Sequence, residues 1–152
     1  MEVTERFNWD IEYSVGVAEI DNQHKELMKL VNNLISHSSD TKTERKLFFH
    51  KVIEIANNRL ANHFDTEERV LSRTSYEKLT DHKKEHENLT SRVKAIRSEV
   101  GSNNEDLALY DLTLILKEYF LSHILLYDKE AKDFFKTGSD MIAPNGFLEG
   151  IV

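Results

Sequence analysis

The sequence predicts an all-α fold, an up-down-up-down four-helix bundle with an N-terminal arm and a short C-terminal tail. Apolar residues recur at spacings of three and four in four segments, the pattern of helices with one buried face. The 152 residues include one proline and five glycines, so little interrupts long helices. Because the connections between the segments are short, neighbouring helices should run antiparallel.

The chain is expected to form a single domain over residues 1–152, which is a suitable length for one sizeable core. The arm comprises residues 1–18, the bundle about 19–136 and the tail 137–152. We expect the apolar residues of the arm to pack across the bundle: Phe7, Trp9, Tyr13 and Val15. The tail holds the only proline and is expected to be irregular.

The four apolar stripes run from Ile20 to Leu34, from Phe49 to Val70, from Leu79 to Val100 and from Leu109 to Leu126. A Ser/Thr followed three residues later by Glu is typical of a helix start.

This pattern precedes the last three stripes, at Thr41–Glu44, Thr74–Glu77 and Ser102–Glu105. Gly101 and Gly138 are predicted helix stops.

Composition narrows the function classes. The net charge of −7 disfavours binding to nucleic acid or to an anionic membrane surface. Without cysteine, disulfides, thiolate metal sites and cysteine nucleophiles are excluded. The charged N-terminus does not resemble a signal peptide, and no apolar run is long enough to span a bilayer. The sequence therefore predicts a soluble, cytoplasmic protein without membrane insertion.

Polar residues interrupt the apolar stripes. Five of the seven histidines and two acidic residues occupy or adjoin positions expected to face the core: His24, His63, Glu67, His82, His86, His123 and Asp128. Burying one such group without a partner costs about 2–7 kcal/mol, and more if it is charged. Because a domain has only about 5–15 kcal/mol of net stability, these groups need compensation. Metal coordination would provide it.

The spacing supports a shared site. His63 and Glu67 are four residues apart, as are His82 and His86, so each pair lies on one helix face. His123 and Asp128 are five apart, about 140° around an ideal helix. They can share a site if they reach it from both flanks or if the helix is locally distorted.

The number of candidate ligands indicates the kind of site. Seven groups are too many for one tetrahedral zinc and suit two octahedral ions that share bridging groups. One ion would then keep an open position for a small ligand. The other histidines, His37 and His50, fit no stripe and are expected at the surface.

The motifs WDIEYSVGVAEIDNQHKEL, HFDTEE, HKKEHENL and HILLYD resemble the hemerythrin family, in particular the bacterial hemerythrins, over about residues 7–135. The resemblance implies two iron ions (Fe2+/Fe3+) with a bridging oxo or hydroxo group, and dioxygen as ligand. By position, His82, His86 and His123 would bind the filled iron. His24 and His63 would bind the other iron, and Glu67 and Asp128 would bridge them.

The implied function is reversible dioxygen binding for transport, storage or delivery, rather than enzyme activity. The alternatives are a di-iron oxygen or redox sensor, an enzyme acting on oxygen, peroxide or nitric oxide, and a metal-free helical module. Many relatives have Trp and Leu where this chain has Tyr119 and Phe120. These two residues are candidates for the lining of the oxygen pocket, with aromatic packing as the simpler interpretation.

Overall fold

The computed structural model describes residues 5–101 and 104–141, and this part of the chain is helical without a β-strand. The helices are α1 (Ala18–Ser36), α2 (Lys42–Leu71), α3 (Leu79–Glu99), α4 (Glu105–Glu118) and α5 (Lys132–Asp140). A π-helical segment, Tyr119–Asp128, continues directly from α4. Short 3-10 turns occupy Ile11–Tyr13 and His37–Ser39. Among the described residues, no helix is both long and apolar enough to cross a membrane.

The helices α1 to α4 pack against one another and enclose one elongated apolar core. This arrangement confirms the predicted all-α bundle. A second, smaller apolar cluster joins α5 to α1 and α2 at one end of the bundle, and its buried members are Val15, Val17, Ile20, Val70, Leu71, Ala131 and Phe135. The polar residues that interrupt the apolar stripes lie between these two clusters.

Of the three predicted helix starts, the one at Thr41 is confirmed. The Thr41 hydroxyl accepts the backbone N–H of Glu44 at 3.2 Å and caps α2. The start at Thr74 is wrong, because its hydroxyl donates instead to the Leu71 carbonyl (2.7 Å) at the end of α2. The next helix begins at Leu79.

The fourth predicted helix begins at Glu105, with Asn104 as N-cap, two residues beyond the predicted position. Ser102 lies outside the described residues. The predicted stop at Gly101 agrees with α3, which ends at Glu99.

The π-helical segment changes which residues face the core. A π-helix forms i→i+5 hydrogen bonds, so its side chains fall out of the α-helical register. Leu126, predicted in the core by α-helical spacing, is 63% exposed. Conversely, His123 and Asp128 are both buried and face the same site. The helix that carries His123 and Asp128 is therefore locally distorted, which is one of the two ways in which their five-residue spacing allows a shared site.

The arm crosses the surface of α1 and α4. The backbone N–H of Phe7 donates to the Asn32 side chain and its carbonyl accepts from the same amide, both at 2.8 Å. The Phe7 ring lies 5.4 Å from Phe120. At Gly16 the backbone adopts φ +76°, which favours glycine and turns the arm into α1.

The predicted boundary of the irregular tail, at residue 137, is too early. Residues 137–140 continue α5, and residues 142–152 lie outside the described part of the chain. Gly138 is not a stop but an interior residue of this helix, where a Cβ atom would lie 2.2 Å from the Val70 carbonyl oxygen. The glycine is required because α5 packs directly on the α2 backbone. That residues 1–152 form one domain stays a prediction.

Candidate metal centre

All the candidate ligands meet in the middle of the bundle. The helix α1 contributes His24, α2 contributes His63 and Glu67, α3 contributes His82 and His86, and the π-helical segment contributes His123 and Asp128. Each of these residues is at most 6% exposed. We call this set the buried cluster. The 3.6-residue period of α2 and α3 places each pair, four residues apart, on the inner face.

The buried cluster consists of two overlapping groups. One contains Glu67, His82, His86, His123 and Asp128, and the other contains His24, His63, Glu67 and Asp128. Within each group, one ligand atom per residue lies within 4.8 Å of all the others. Because Glu67 and Asp128 belong to both groups, the arrangement suits two ions that share two carboxylates.

Asp128 lies between the two groups of imidazoles. Its Oδ2 is 3.1 Å from Nε2 of His24, while its Oδ1 is 3.1 Å from Nε2 of His82. The same Oδ1 lies 3.2 Å from Nε2 of His123. One oxygen therefore faces the four-residue group and the other oxygen faces the five-residue group.

Glu67 occupies the corresponding position from α2. Its Oε1 lies 3.3 Å from Nε2 of both His63 and His86, which belong to different groups. Its Oε2 lies 3.9 Å from Nε2 of His24. Two carboxylates thus approach the same pair of positions from α2 and from the π-helical segment.

The cluster atoms lie close together but are not satisfied by hydrogen bonds. All four oxygens of Glu67 and Asp128, and Nε2 of His24, His63 and His82, are buried without a hydrogen-bond partner among the described residues. Such burial is costly unless a further partner is present. Imidazole nitrogens and carboxylate oxygens are typical iron and zinc ligands. The buried cluster therefore fits metal ions.

A hydrogen-bond relay fixes the orientation of His63. The buried Thr66 hydroxyl donates to the Asn62 carbonyl (3.0 Å), so its oxygen can accept from Nε2 of Gln23 (3.1 Å). This turns Oε1 of Gln23 toward Nδ1 of His63, at 2.7 Å. Nδ1 therefore carries the proton, and the lone pair of Nε2 points into the cluster.

A carboxylate does the same for His86. Oε2 of Glu68 lies 2.9 Å from Nδ1 of His86, which must donate because an ionised carboxylate only accepts. The sequence did not predict a role for Glu68 or Gln23. Gln23 adjoins a candidate ligand in the chain, and so does Glu68, but only the structure shows the direction of their side chains.

The electrostatics reflect close pairing of opposite charges. Burial by itself lowers the pKa of His82, but contacts with Asp128 and Glu67 outweigh it and raise the pKa to about 10. Burial would raise the pKa of Asp128, yet the contacts with His123 and His24 hold it below its usual value. Without a metal, the His82 imidazole therefore holds a proton that metal ligation would displace.

The two aromatic candidates have different surroundings. The Tyr119 ring lies 6.4 Å from both His24 and His63 and stacks on His123 at 5.1 Å. The Phe120 ring packs instead on the arm, 5.4 Å from Phe7, and on Tyr119 at 5.6 Å. Tyr119 therefore borders the buried cluster directly, and Phe120 lies behind it.

The remaining histidines are apart from the cluster. His37 stacks on Phe48 at 3.7 Å and contacts Asp40, and its side chain is 35% exposed. The His50 side chain is 57% exposed, with Nε2 3.8 Å from the Glu105 carboxylate. Both lie where the sequence placed them, outside the buried cluster.

The fold and the buried cluster define a class, the helical-bundle proteins whose core holds histidines and carboxylates suited to metal ions. Comparison with known families identifies which one. The hemerythrin HHE cation binding domain family matches residues 15–135. The chain belongs to the hemerythrin family.

Three relatives illustrate the breadth of the family. The chain is 30% identical to a myohemerythrin of Theromyzon tessulatum, with 81% of this chain and 88% of the relative covered. It is 25% identical to a bacteriohemerythrin of Clostridium acetobutylicum, over 84% of this chain and 99% of the relative. It is 27% identical to a hemerythrin-like protein of Naegleria gruberi, over 83% and 91%. These relatives support the predicted resemblance to bacterial hemerythrins.

Proposed function

We propose that the protein binds dioxygen reversibly at a non-haem di-iron centre formed by the buried cluster. The observation that supports this most strongly is the pair of overlapping ligand groups that share Glu67 and Asp128. Membership in the hemerythrin family supports the choice of iron and dioxygen. The cytoplasmic location expected from the sequence stays a prediction.

The proposed assignment follows the two groups. His82, His86 and His123 would hold one ion and His24 and His63 the other, with Glu67 and Asp128 shared. The first ion would have one more protein ligand than the second, so a small external ligand would bind at the second. Two ferrous ions held there would supply the two electrons that dioxygen takes up on binding and would regain them when it leaves.

The chain itself orients the ligands and excludes water. Gln23 and Glu68 hold the imidazoles of His63 and His86 with Nε2 directed inward. Burial of the cluster keeps bulk water from the site, which slows uncontrolled proton transfer and loss of a bound ligand. A protein with these features can bind and release a ligand without consuming it.

Iron analysis combined with an oxygenation spectrum tests this function. Purified protein should contain about two irons per chain, the number that the two overlapping groups can hold. Reduced protein mixed with oxygen should develop a visible charge-transfer band that disappears on deoxygenation. One zinc per chain would contradict the di-iron proposal. Rapid irreversible bleaching would instead favour the sensor or redox-enzyme alternative.

Phe120 provides a test of the oxygen pocket. The side chain is fully buried between Tyr119 and the arm, so Phe120→Leu leaves space behind the tyrosine. We expect water to reach the site more readily and the oxygenated protein to autoxidise faster. The rate of decay of the oxygenated band measures this. An unchanged rate with lower thermal stability would mean that Phe120 serves packing alone.

A further inference from the structure

Tyr119 has a buried polar atom that the proposed function does not yet use. The residue is 3% exposed, and its hydroxyl is buried without a hydrogen-bond partner among the described residues. A buried tyrosine hydroxyl normally has a partner, because leaving the group unpaired costs free energy. The position of the ring indicates where a partner would come from.

The ring lies against the four-residue group. Its centroid is 6.4 Å from the rings of His24 and His63, at interplanar angles of 69° and 85°. The ring also contacts Phe64 at 5.9 Å and Phe120 at 5.6 Å, which offer no hydrogen-bond acceptor in their side chains. These two aromatic neighbours therefore provide no partner for the hydroxyl.

The four-residue group is also the one with fewer protein ligands. It has His24, His63 and the two shared carboxylates, whereas the other group adds a third histidine. An ion held there has room for a ligand that the protein does not supply. A hydroxyl beside that position can donate to such a ligand, and it does not compete as a metal ligand while it keeps its proton.

We propose that Tyr119 is a specificity-determining residue whose hydroxyl donates a hydrogen bond to a small anionic ligand bound beside His24 and His63. The inference rests on the proposed di-iron centre and deepens it. Hydrogen bonds to a charged acceptor are stronger than those between neutral groups, so the residue favours anionic ligands over neutral ones. Phenylalanine at this position would have no hydrogen-bond donor, and tryptophan would carry its N–H at a different point of the ring, so neither would have this effect.

The test is an azide titration of the oxidised, iron-loaded protein. Tyr119→Phe removes one oxygen atom and keeps the ring. We expect the azide dissociation constant, read from the charge-transfer band, to rise about tenfold, the effect of losing one hydrogen bond to a charged group. The iron content should stay at the wild-type value.

Tyr127→Phe is the matched control. Tyr127 stacks on His123 at 5.5 Å, as Tyr119 does, but its ring contact in the cluster is with that histidine alone. Its replacement removes the same atom from a ring in the same contact. Azide affinity in this variant should equal that of the wild type. An equal loss in both variants would overturn the inference.

A spectroscopic measurement gives an independent result, even if Tyr119→Phe fails to hold iron. Ultraviolet resonance Raman spectra report whether a tyrosine hydroxyl donates a hydrogen bond. Azide should change the tyrosine bands of the wild type and of Tyr127→Phe, and absence of a change in both would overturn the inference. A wild-type protein without iron would instead reject the proposed function itself. Wild-type iron and azide affinity in Tyr119→Phe would reject only the role of Tyr119.

Discussion

Glu67→Gln should remove most of the iron from the purified protein, from about two ions per chain to less than one. Glu67 belongs to both ligand groups, with Oε1 3.3 Å from imidazoles of each. An amide of the same size is neutral and a weaker ligand, so both positions lose affinity together. Iron quantified on protein purified in parallel measures the effect.

The same substitution should abolish the stabilisation that the proposed iron centre gives to the fold. Saturation at about a thousand times the dissociation constant stabilises a protein by about 4 kcal/mol. At roughly 2–4 °C per kcal/mol for a chain of this size, chelation should lower the wild-type melting temperature by about 10 °C. In Glu67→Gln, melting curves with and without a chelator should nearly coincide.

Asp65→Asn is the control for this experiment. Asp65 is an exposed carboxylate on the same helix, two residues away, and the substitution makes the same change in charge. This variant should keep its iron and its response to the chelator. If Glu67→Gln also kept two irons, Glu67 would not be a shared ligand, and the two-ion arrangement would need another bridge.

The helical bundle and most members of the buried cluster could be predicted from the sequence, because both depend on helical periodicity. Apolar spacing identifies the inner face of a helix, and a histidine on that face must point inward. His63, Glu67, His82 and His86 follow directly from the i, i+4 rule on regular helices. Membership in the hemerythrin family is consistent with this pattern.

Sequence reasoning was incomplete where the helix departs from the ideal period or where a long-range contact decides. The π-helical register exposes Leu126, which α-helical spacing placed in the core, and brings Asp128 to the site, which the spacing alone left undecided. The interactions of Gln23 with His63 and of Glu68 with His86 join residues on different helices. Side-chain direction across helices is a tertiary property, so adjacency in the chain could only suggest it.

Gly138→Ala should destabilise the protein more than most single substitutions. The new Cβ would lie 2.2 Å from the Val70 carbonyl oxygen and 2.9 Å from Cγ1 of the same residue. The Val70 carbonyl lies in the last turn of α2 and accepts the backbone N–H of Arg73 at 3.3 Å, so it is not free to move and α5 must shift instead. Overpacking of this kind costs about 1–3 kcal/mol, and the melting temperature should fall by roughly 2–12 °C.

Gly101→Ala separates this steric effect from the general effect of replacing a glycine. At Gly101 the nearest atom to a new Cβ is Oδ1 of Asn104, at 3.7 Å, which is an ordinary contact. Alanine there reduces the freedom of the unfolded chain and should change stability by less than about 1 kcal/mol. The α5 helix packs in the second apolar cluster, together with Ile20 of α1 and Val70 of α2. These two residues lie one helical turn from candidate ligands on their own helices. A displaced α5 should therefore also weaken iron retention in Gly138→Ala, whereas full iron retention would show that the buried cluster is held by α1 to α4 without it.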